Sequence, residues 1–343
     1  MSSTPDKLTP NDPRVEHHTL TIRNNKWHYL LANPSSSPST ATMLLVHGWP
    51  DLAFGWRYQV PHLLSLGLRV IIPDMLGYGG TDAPALEREY SMKNIANDLA
   101  TLAAHVVGEG ERVVLGGHDW GGAVVWKMAL WRPEVVSAVF SVCTPYAPPR
   151  EGPYVDLEGV VKRLPNFRYQ LQLAGREVEE GVVGEERTRG FLCGMYGGRT
   201  RDGERAFDTQ KGVFLEKLEG MGMSPLLNEE EVEFYVREYV RKGLHGPLNW
   251  YRTTRVNWEE ERELVERGTE ALRIKVPSMI VTASKDDALP PAMTAYMGPW
   301  FDSLERREVE AGHWALWQAA ADVNRHIGDF LSKVLGTEQG SKL

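Results

Sequence analysis

Polar and apolar residues alternate from His17 to Leu31, with Leu20 and Ile22 before Asn24-Asn25 and Trp27, Tyr29 and Leu31 after it. Alternation with period two lays one face of a strand on a core, and an asparagine pair is a turn signal, so this stretch predicts a hairpin. Pro34 to Ser39 reads as a surface connection. Thr42–Val46, Leu68–Ile72, Val113–Leu115, Val135–Val142 and Met279–Thr282 are short continuous apolar runs, the pattern of strands covered on both faces, and Arg306–Glu310 is a further strand. Between the early runs lie segments of helical spacing. One is Trp56–Leu66; another starts at the N-cap Ser91 and runs to about Val107, with Met92, Ile95, Leu99, Leu102 and Val106 on one face. Strands alternating with helices predict an α/β class protein with a mostly parallel sheet and helices on both faces.

After Pro145 the alternation stops. Up to about Arg273 the pattern is helical and loopy: Val160–Leu173, a glycine-rich stretch from Gly175 to Gly203, Ala206–Leu218, Asn228–Arg241 and Trp258–Arg267. We read this as an inserted helical lid, bounded by Pro145, Pro148 and Pro149 and by Pro277. The acidic runs Glu229–Glu231 and Glu259–Glu261 are placed near helix starts, where they complement the macrodipole. Strand character resumes at Met279, followed by a helix near Ala292–Trp300 and a last helix over Ala315–Val334. The domain reading is a core over 1–145 and 275–335, a lid over 146–274 and a flexible tail over 336–343.

Composition narrows the classes. The chain has 343 residues, 42% hydrophobic and 24% charged, as in ordinary globular proteins, with a net charge of −8 and no basic stripe, which argues against nucleic acid as a partner. No apolar run reaches the roughly 18 residues of a membrane span, and Met1 to Pro10 lack a signal-peptide core, so the expectation is a protein made and kept inside the cell. Cys143 and Cys193 show no metal or disulfide spacing and read as structural thiols. The chain closes on Ser341-Lys342-Leu343, the peroxisomal address, which implies an import receptor as partner and a peroxisomal location.

The chemistry centres on Arg112–Trp126. A β-type run meets Gly116-Gly117, then His118-Asp119-Trp120, then Gly121-Gly122 and an apolar helical pattern. Small residues two places either side of Asp119 mark a nucleophile elbow, with an acid where serine is usual. The order nucleophile, acid, histidine is that of the α/β-hydrolases, and here it reads Asp119, then Asp286 or Asp287, then His313, each just after a strand pattern. A carboxylate that attacks a saturated carbon becomes an alkyl ester, which water must then hydrolyse at the carbonyl of Asp119. His313 is the expected general base for that water, a contribution of about 10²- to 10⁴-fold. The backbone N–H groups of Trp49 and Trp120 are the expected oxyanion donors, each worth on the order of 3 kcal/mol. His47, Gly48 and Pro50 are assigned supporting positions, Pro50 with a cis bond open to it. His118 is given a hydrogen-bonding role, since no second metal-type residue stands at ligand spacing; no metal is expected. Asp74–Gly79 reads as a loop rather than a nucleotide motif.

His47-Gly48-Trp49-Pro50, Gly117-His118-Asp119-Trp120-Gly121-Gly122 and Gly312-His313 resemble the epoxide hydrolases of the α/β-hydrolase superfamily, over about residues 17 to 335. The resemblance implies an α/β-hydrolase fold with a lid, and hydrolysis of an epoxide to a vicinal diol by water without a cofactor. It also implies two lid tyrosines that bind the epoxide oxygen and protonate it. Phe167-Arg168-Tyr169-Gln170-Leu171 and Gly246-Pro247-Leu248-Asn249-Trp250-Tyr251-Arg252 match the two lid motifs, which carries the roles to Tyr169 and Tyr251. Aligning Ser284-Lys285-Asp286 with the family's acid motif favours Asp286 over Asp287. The chain departs from the family at Gln172-Leu173 and at Trp314-Ala315-Leu316-Trp317, which bears on substrate shape. Competing readings are a haloalkane dehalogenase, which needs no proton for its leaving group, a non-catalytic ligand receptor on the same scaffold, and a peroxisomal biosynthetic role.

Overall fold

The computed structural model describes residues 5–35 and 39–340, with side chains through residue 336; the terminal Ser-Lys-Leu lies outside the described residues. Strands β1 (Glu16–Ile22) and β2 (Asn25–Ala32) form the hairpin, with Ile22 paired to Asn25. Its two turn residues are therefore Arg23 and Asn24, at φ 48° and 64°. Two successive positive φ values are the combination of a type I′ turn, whose twist suits the strands.

The remaining strands are β3 (Thr42–Val46), β4 (Arg69–Pro73), β5 (Val113–His118), β6 (Val136–Val142), β7 (Ser278–Ala283) and β8 (Leu304–Val309). They form one eight-stranded sheet in the order β1-β2-β4-β3-β5-β6-β7-β8. Only the two pairings that involve β2 are antiparallel. Every residue of β3, β5 and β7 is buried, which accounts for their unbroken apolar runs. Helices α1 (Gln59–Ser65), α2 (Met92–Val107) and α3 (Trp120–Trp131) connect the strands. Ser91 caps α2 by accepting the Asn94 N–H, and Ile95, Leu99 and Leu102 bury the inner face. The loops at the carboxyl ends of β3, β5, β7 and β8 share one end of the sheet, where open α/β sheets carry their sites.

Between β6 and β7 the chain is largely helical and more broken than its pattern predicts. Val160–Leu173 divides into α4 (Leu157–Arg163), a 3₁₀ turn at Pro165–Phe167 and α5 (Tyr169–Ala174), because Pro165 cannot continue a helix. The glycine-rich stretch holds α6 (Glu177–Gly181) and α7 (Glu185–Met195). The helix expected over Ala206–Leu218 is instead a small hairpin of Phe207–Asp208 and Gly212–Val213, followed by a 3₁₀ segment at Leu215–Gly220; Gly212, at φ 90°, sits where a helix cannot run. Next come α8 (Glu229–Lys242), α9 (His245–Asn249) and α10 (Thr254–Glu266). α8 opens on a capping box between Asn228 and Glu231, with Glu229–Glu231 in its first turn. Glu259–Glu261 lie in the middle of α10 rather than at its start, and they act through ion pairs, Glu259 with Arg255 and Glu261 with Lys127, both at 2.7 Å. In place of a helix over Ala292–Trp300 there are two 3₁₀ turns, Pro291–Thr294 and Gly298–Trp300, each with a proline among its first two residues, and the final helix divides into α11 (Ala315–Gln318) and α12 (Ala320–Gly340). Among the described residues no helix is long and apolar enough to cross a membrane.

Candidate active site

Asp119 stands between β5 and α3 at φ 53°, ψ −125°. A non-glycine residue in that region is strained, and the surroundings must hold it there. The Gly122 N–H and the Thr144 hydroxyl both donate to the Asp119 carbonyl oxygen, at 2.9 and 2.7 Å. Thr144 carries no motif, so sequence reasoning passed it over. The glycines give the turn its room: a Cβ on Gly121 would overlap the backbone oxygen of Val46, and one on Gly48 would overlap the Asp119 carboxylate. Gly121→Ala is therefore expected to cost roughly 3 kcal/mol or to prevent folding, read as a lower denaturant midpoint, because backbone cannot yield as a side chain can.

The three sequence-picked residues meet. Nδ1 of His313 lies 2.9 Å from Oδ2 of Asp286, and Nε2 lies 3.4 Å from Oδ2 of Asp119. Asp286 is buried, and its Oδ1 accepts the N–H groups of Ala288 and Leu289, both at 2.9 Å. Burial alone would raise its pKa, but His313 and those two N–H donors outweigh it and hold the carboxyl at about 2. Asp287, largely exposed, also lines the cavity but lies 3.8 Å from Arg205, and Asp286 is the residue in contact with the histidine. For His313, burial disfavours the cation, yet the charges of Asp286 and Asp119 prevail and raise its pKa well above the ordinary imidazole value.

The Trp49 N–H donates to Oδ1 of Asp119 at 2.7 Å. The Trp49–Pro50 bond is cis. His47 steadies this loop from behind: Nδ1–H donates to the Gly48 carbonyl and Nε2 accepts the Met75 N–H, both at 2.9 Å. Burial pushes its pKa down to about 4, which keeps the ring neutral and able to make both bonds. The loop after β4 thus braces the Trp49 side of the site. Trp120 opens α3, so its N–H belongs to the free amino end of that helix.

Tyr169, the first residue of α5, and Tyr251, just past α9, are both buried. Their rings meet edge to face at 6.3 Å, and Tyr251 also meets Trp49 and Trp120 edge-on at 5.5 and 5.2 Å. Both phenols line the same cavity of about 300 Å³ as Asp119, Asp286 and His313. Burial raises both phenol pKa values, so each hydroxyl keeps its proton. Phe207, Asp208 and Thr209 of the small hairpin add to the cavity wall, a contribution the helical reading of that segment missed.

His118 donates from Nε2 to the His313 carbonyl at 2.8 Å. Contrary to the reading from spacing, metal-type residues do gather around it, since Cys143 and His313 offer ligand atoms within 4.8 Å of one another and of His118. Three separate strand ends bring them together, which sequence spacing cannot reveal. Burial holds the Cys143 thiol protonated and pushes the His118 pKa down to about 4, so these two members of the cluster are neutral groups packed behind His313.

A strained residue on a strand-to-helix elbow, a histidine and acid at later strand ends, and an N–H aimed at the elbow side chain define an α/β hydrolase. A family model described as the alpha/beta hydrolase fold matches residues 41–182. Within that superfamily the chain belongs to the epoxide hydrolases. It is 50% identical to epoxide hydrolase srdG of Neurospora crassa over 342 residues, 96% of this chain and 99% of that protein. It is 35% identical to bifunctional epoxide hydrolase 2 of Rattus norvegicus over 97% of this chain, and spans 57% of that longer protein. Among solved structures, epoxide hydrolase VrEH1 of Vigna radiata is 25% identical with a TM-score of 0.76, covering 93% of this chain and 98% of that one. Epoxide hydrolase A of Mycobacterium thermoresistibile is likewise 25% identical with a TM-score of 0.76, covering 92% and 98%.

Proposed function

We propose that the protein opens an epoxide to a vicinal diol through a covalent ester on Asp119. The supporting observation is that two buried, protonated tyrosines face the same cavity as the Asp119–His313 pair. Oδ1 of Asp119 is held by the Trp49 N–H, which leaves Oδ2 as the attacking atom. As the C–O bond of the ring breaks, Tyr169 and Tyr251 hydrogen-bond the departing oxygen, and one of them gives it a proton. His313 then takes a proton from water, whose oxygen adds to the Asp119 carbonyl carbon. Negative charge gathers on Oδ1 at the Trp49 N–H, with Trp120 as the second donor. Collapse of that intermediate breaks the bond from the carbonyl carbon to Oδ2, which takes back the proton held by His313 and leaves as the diol, while the carboxylic acid left on Asp119 loses its proton to restore the tyrosine that protonated the ring oxygen. No step calls for a cofactor or a metal.

Tyr169→Phe and Tyr251→Phe should each lower kcat/KM on an epoxide roughly 10²-fold, and the double variant should lower it further, as when donors to a developing oxyanion are removed. A dehalogenase needs no such proton. Turnover of a haloalkane that is unimpaired in Tyr169→Phe, together with no epoxide turnover, would contradict the proposal; failure of a broad epoxide panel with intact binding would favour a receptor.

The proposal extends to location. Ser341-Lys342-Leu343 matches the address read by the peroxisomal import receptor, which supports a peroxisomal enzyme acting on an epoxide made or consumed there. A fluorescent fusion at the amino end should enter peroxisomes and should lose them when the last three residues are removed.

A further inference from the structure

The carboxyl end of α7 touches two parts of the site that are far apart in sequence. The hydroxyl of Tyr196, a fully buried residue, donates to the Pro50 carbonyl, beside the Trp49 N–H that holds Asp119. The carbonyl of the preceding Met195 accepts Nε1–H of Trp314, the residue after His313, at 2.9 Å. The Tyr196 ring also stands edge-on to Trp314 and Trp317, at 4.7 and 5.0 Å, and those two indoles stack at 4.7 Å with 15° between planes. α8 reinforces the oxyanion side: Tyr235 donates to Oδ1 of Asp51 at 2.7 Å and Tyr239 to the Asp51 carbonyl at 3.3 Å. Ser224 donates to the Tyr196 carbonyl at 2.7 Å, so the lid turn itself is fixed. Within the run Trp314–Trp317, where the chain departs from its family, the two indoles supply the surface that Tyr196 packs on.

We infer that Tyr196 is a positioning residue for hydrolysis of the alkyl-enzyme, one that sets the spacing between the oxyanion N–H of Trp49 and the base His313. The inference rests on the ester mechanism proposed above. Formation of the ester needs Asp119 and the epoxide held by Tyr169 and Tyr251, and Tyr196 touches none of these. A free carboxylate can rotate to follow a small shift of the Trp49 N–H. Hydrolysis is less forgiving, because the ester oxygen must sit at that N–H while the water on the ester carbon sits at Nε2 of His313. Loss of the Tyr196 hydroxyl frees the Pro50 side of that arrangement while Met195 still holds the His313 side, and errors of this kind cost rate steeply.

Tyr196→Phe keeps the ring packing and removes only the hydroxyl. We expect kcat and KM to fall together, roughly tenfold or more, with kcat/KM preserved, because kcat/KM reports steps through ester formation and kcat then reports hydrolysis. Quenched reactions analysed by mass should show more ester on the peptide holding Asp119 than in the unsubstituted enzyme. Should Tyr196→Phe not fold, Tyr235→Phe, which frees the same loop at Asp51, should show the same split. A kcat loss at constant KM is what plain loss of active protein gives, and it would overturn the inference, as would an unchanged kcat. Absence of any ester on Asp119 in the unsubstituted enzyme is a different result, which would remove the mechanism beneath it.

Discussion

Asp119→Ala should abolish diol formation, lowering kcat by at least about 10⁴-fold while the protein still folds. Removing a nucleophile removes a whole covalent pathway rather than one contact, and losses near 10⁶-fold follow such changes in other covalent hydrolases. The cavity, the tyrosine pair and His313 remain in the variant, so any residual rate measures what positioning and proton donation achieve alone. Folding is expected to survive because the carboxylate contributes only a hydrogen bond to Trp49 and a 3.4 Å contact with His313, whereas the turn is held through the backbone by Gly122 and Thr144. The measurement is steady-state turnover of a reactive epoxide beside a thermal unfolding curve. A residual rate within about tenfold of the parent would mean that Asp119 is not the attacking group.

His313→Gln should separate the two steps. The ester should form and then persist, so that one equivalent of epoxide is consumed per active site and steady turnover falls by about 10²- to 10⁴-fold. The electrostatics of the site suit His313 to the role proposed for it in the second step. In the resting protein two carboxylates face it and favour its cation. Esterification removes the charge on Asp119, leaves Asp286 alone, and so lowers the imidazole pKa at the moment a base is needed. Ester decay followed in a single turnover should therefore speed up as pH rises and the ring loses its proton, then level off. Decay that slows with rising pH would contradict a neutral histidine base.

The elements that were legible in the sequence were those whose pattern has one physical reading. Five apolar runs could only be buried strands, and the paired glycines around Asp119 could only be a tight turn, since a Cβ at Gly121 would strike Val46. The meeting of Asp119, Asp286 and His313 followed from the habit of open sheets to collect their sites at the carboxyl ends of strands. The segment between β6 and β7 is less legible because its order depends on context. Residues 206–218 have helical periodicity, yet the hairpin there exists because Gln172 binds the Val213 N–H and carbonyl at 2.7 and 3.0 Å from another element. No local pattern announces that. Thr144 and Tyr196 carry no sequence signal for the same reason, since each acts on a site residue distant in sequence. The choice between Asp286 and Asp287 shows the limit sharply: neighbours of identical chemistry differ only in which one the β7 loop turns inward.

The central claim is that oxygen from water reaches the product by way of Asp119. It is tested most directly by reacting excess enzyme with an epoxide once in ¹⁸O-water and weighing both the diol and the peptide that contains Asp119. The account predicts an unlabelled diol from that first turnover and ¹⁸O in the Asp119 carboxylate. A labelled diol with an unlabelled peptide would mean that water attacks the epoxide directly, and it would contradict the ester mechanism.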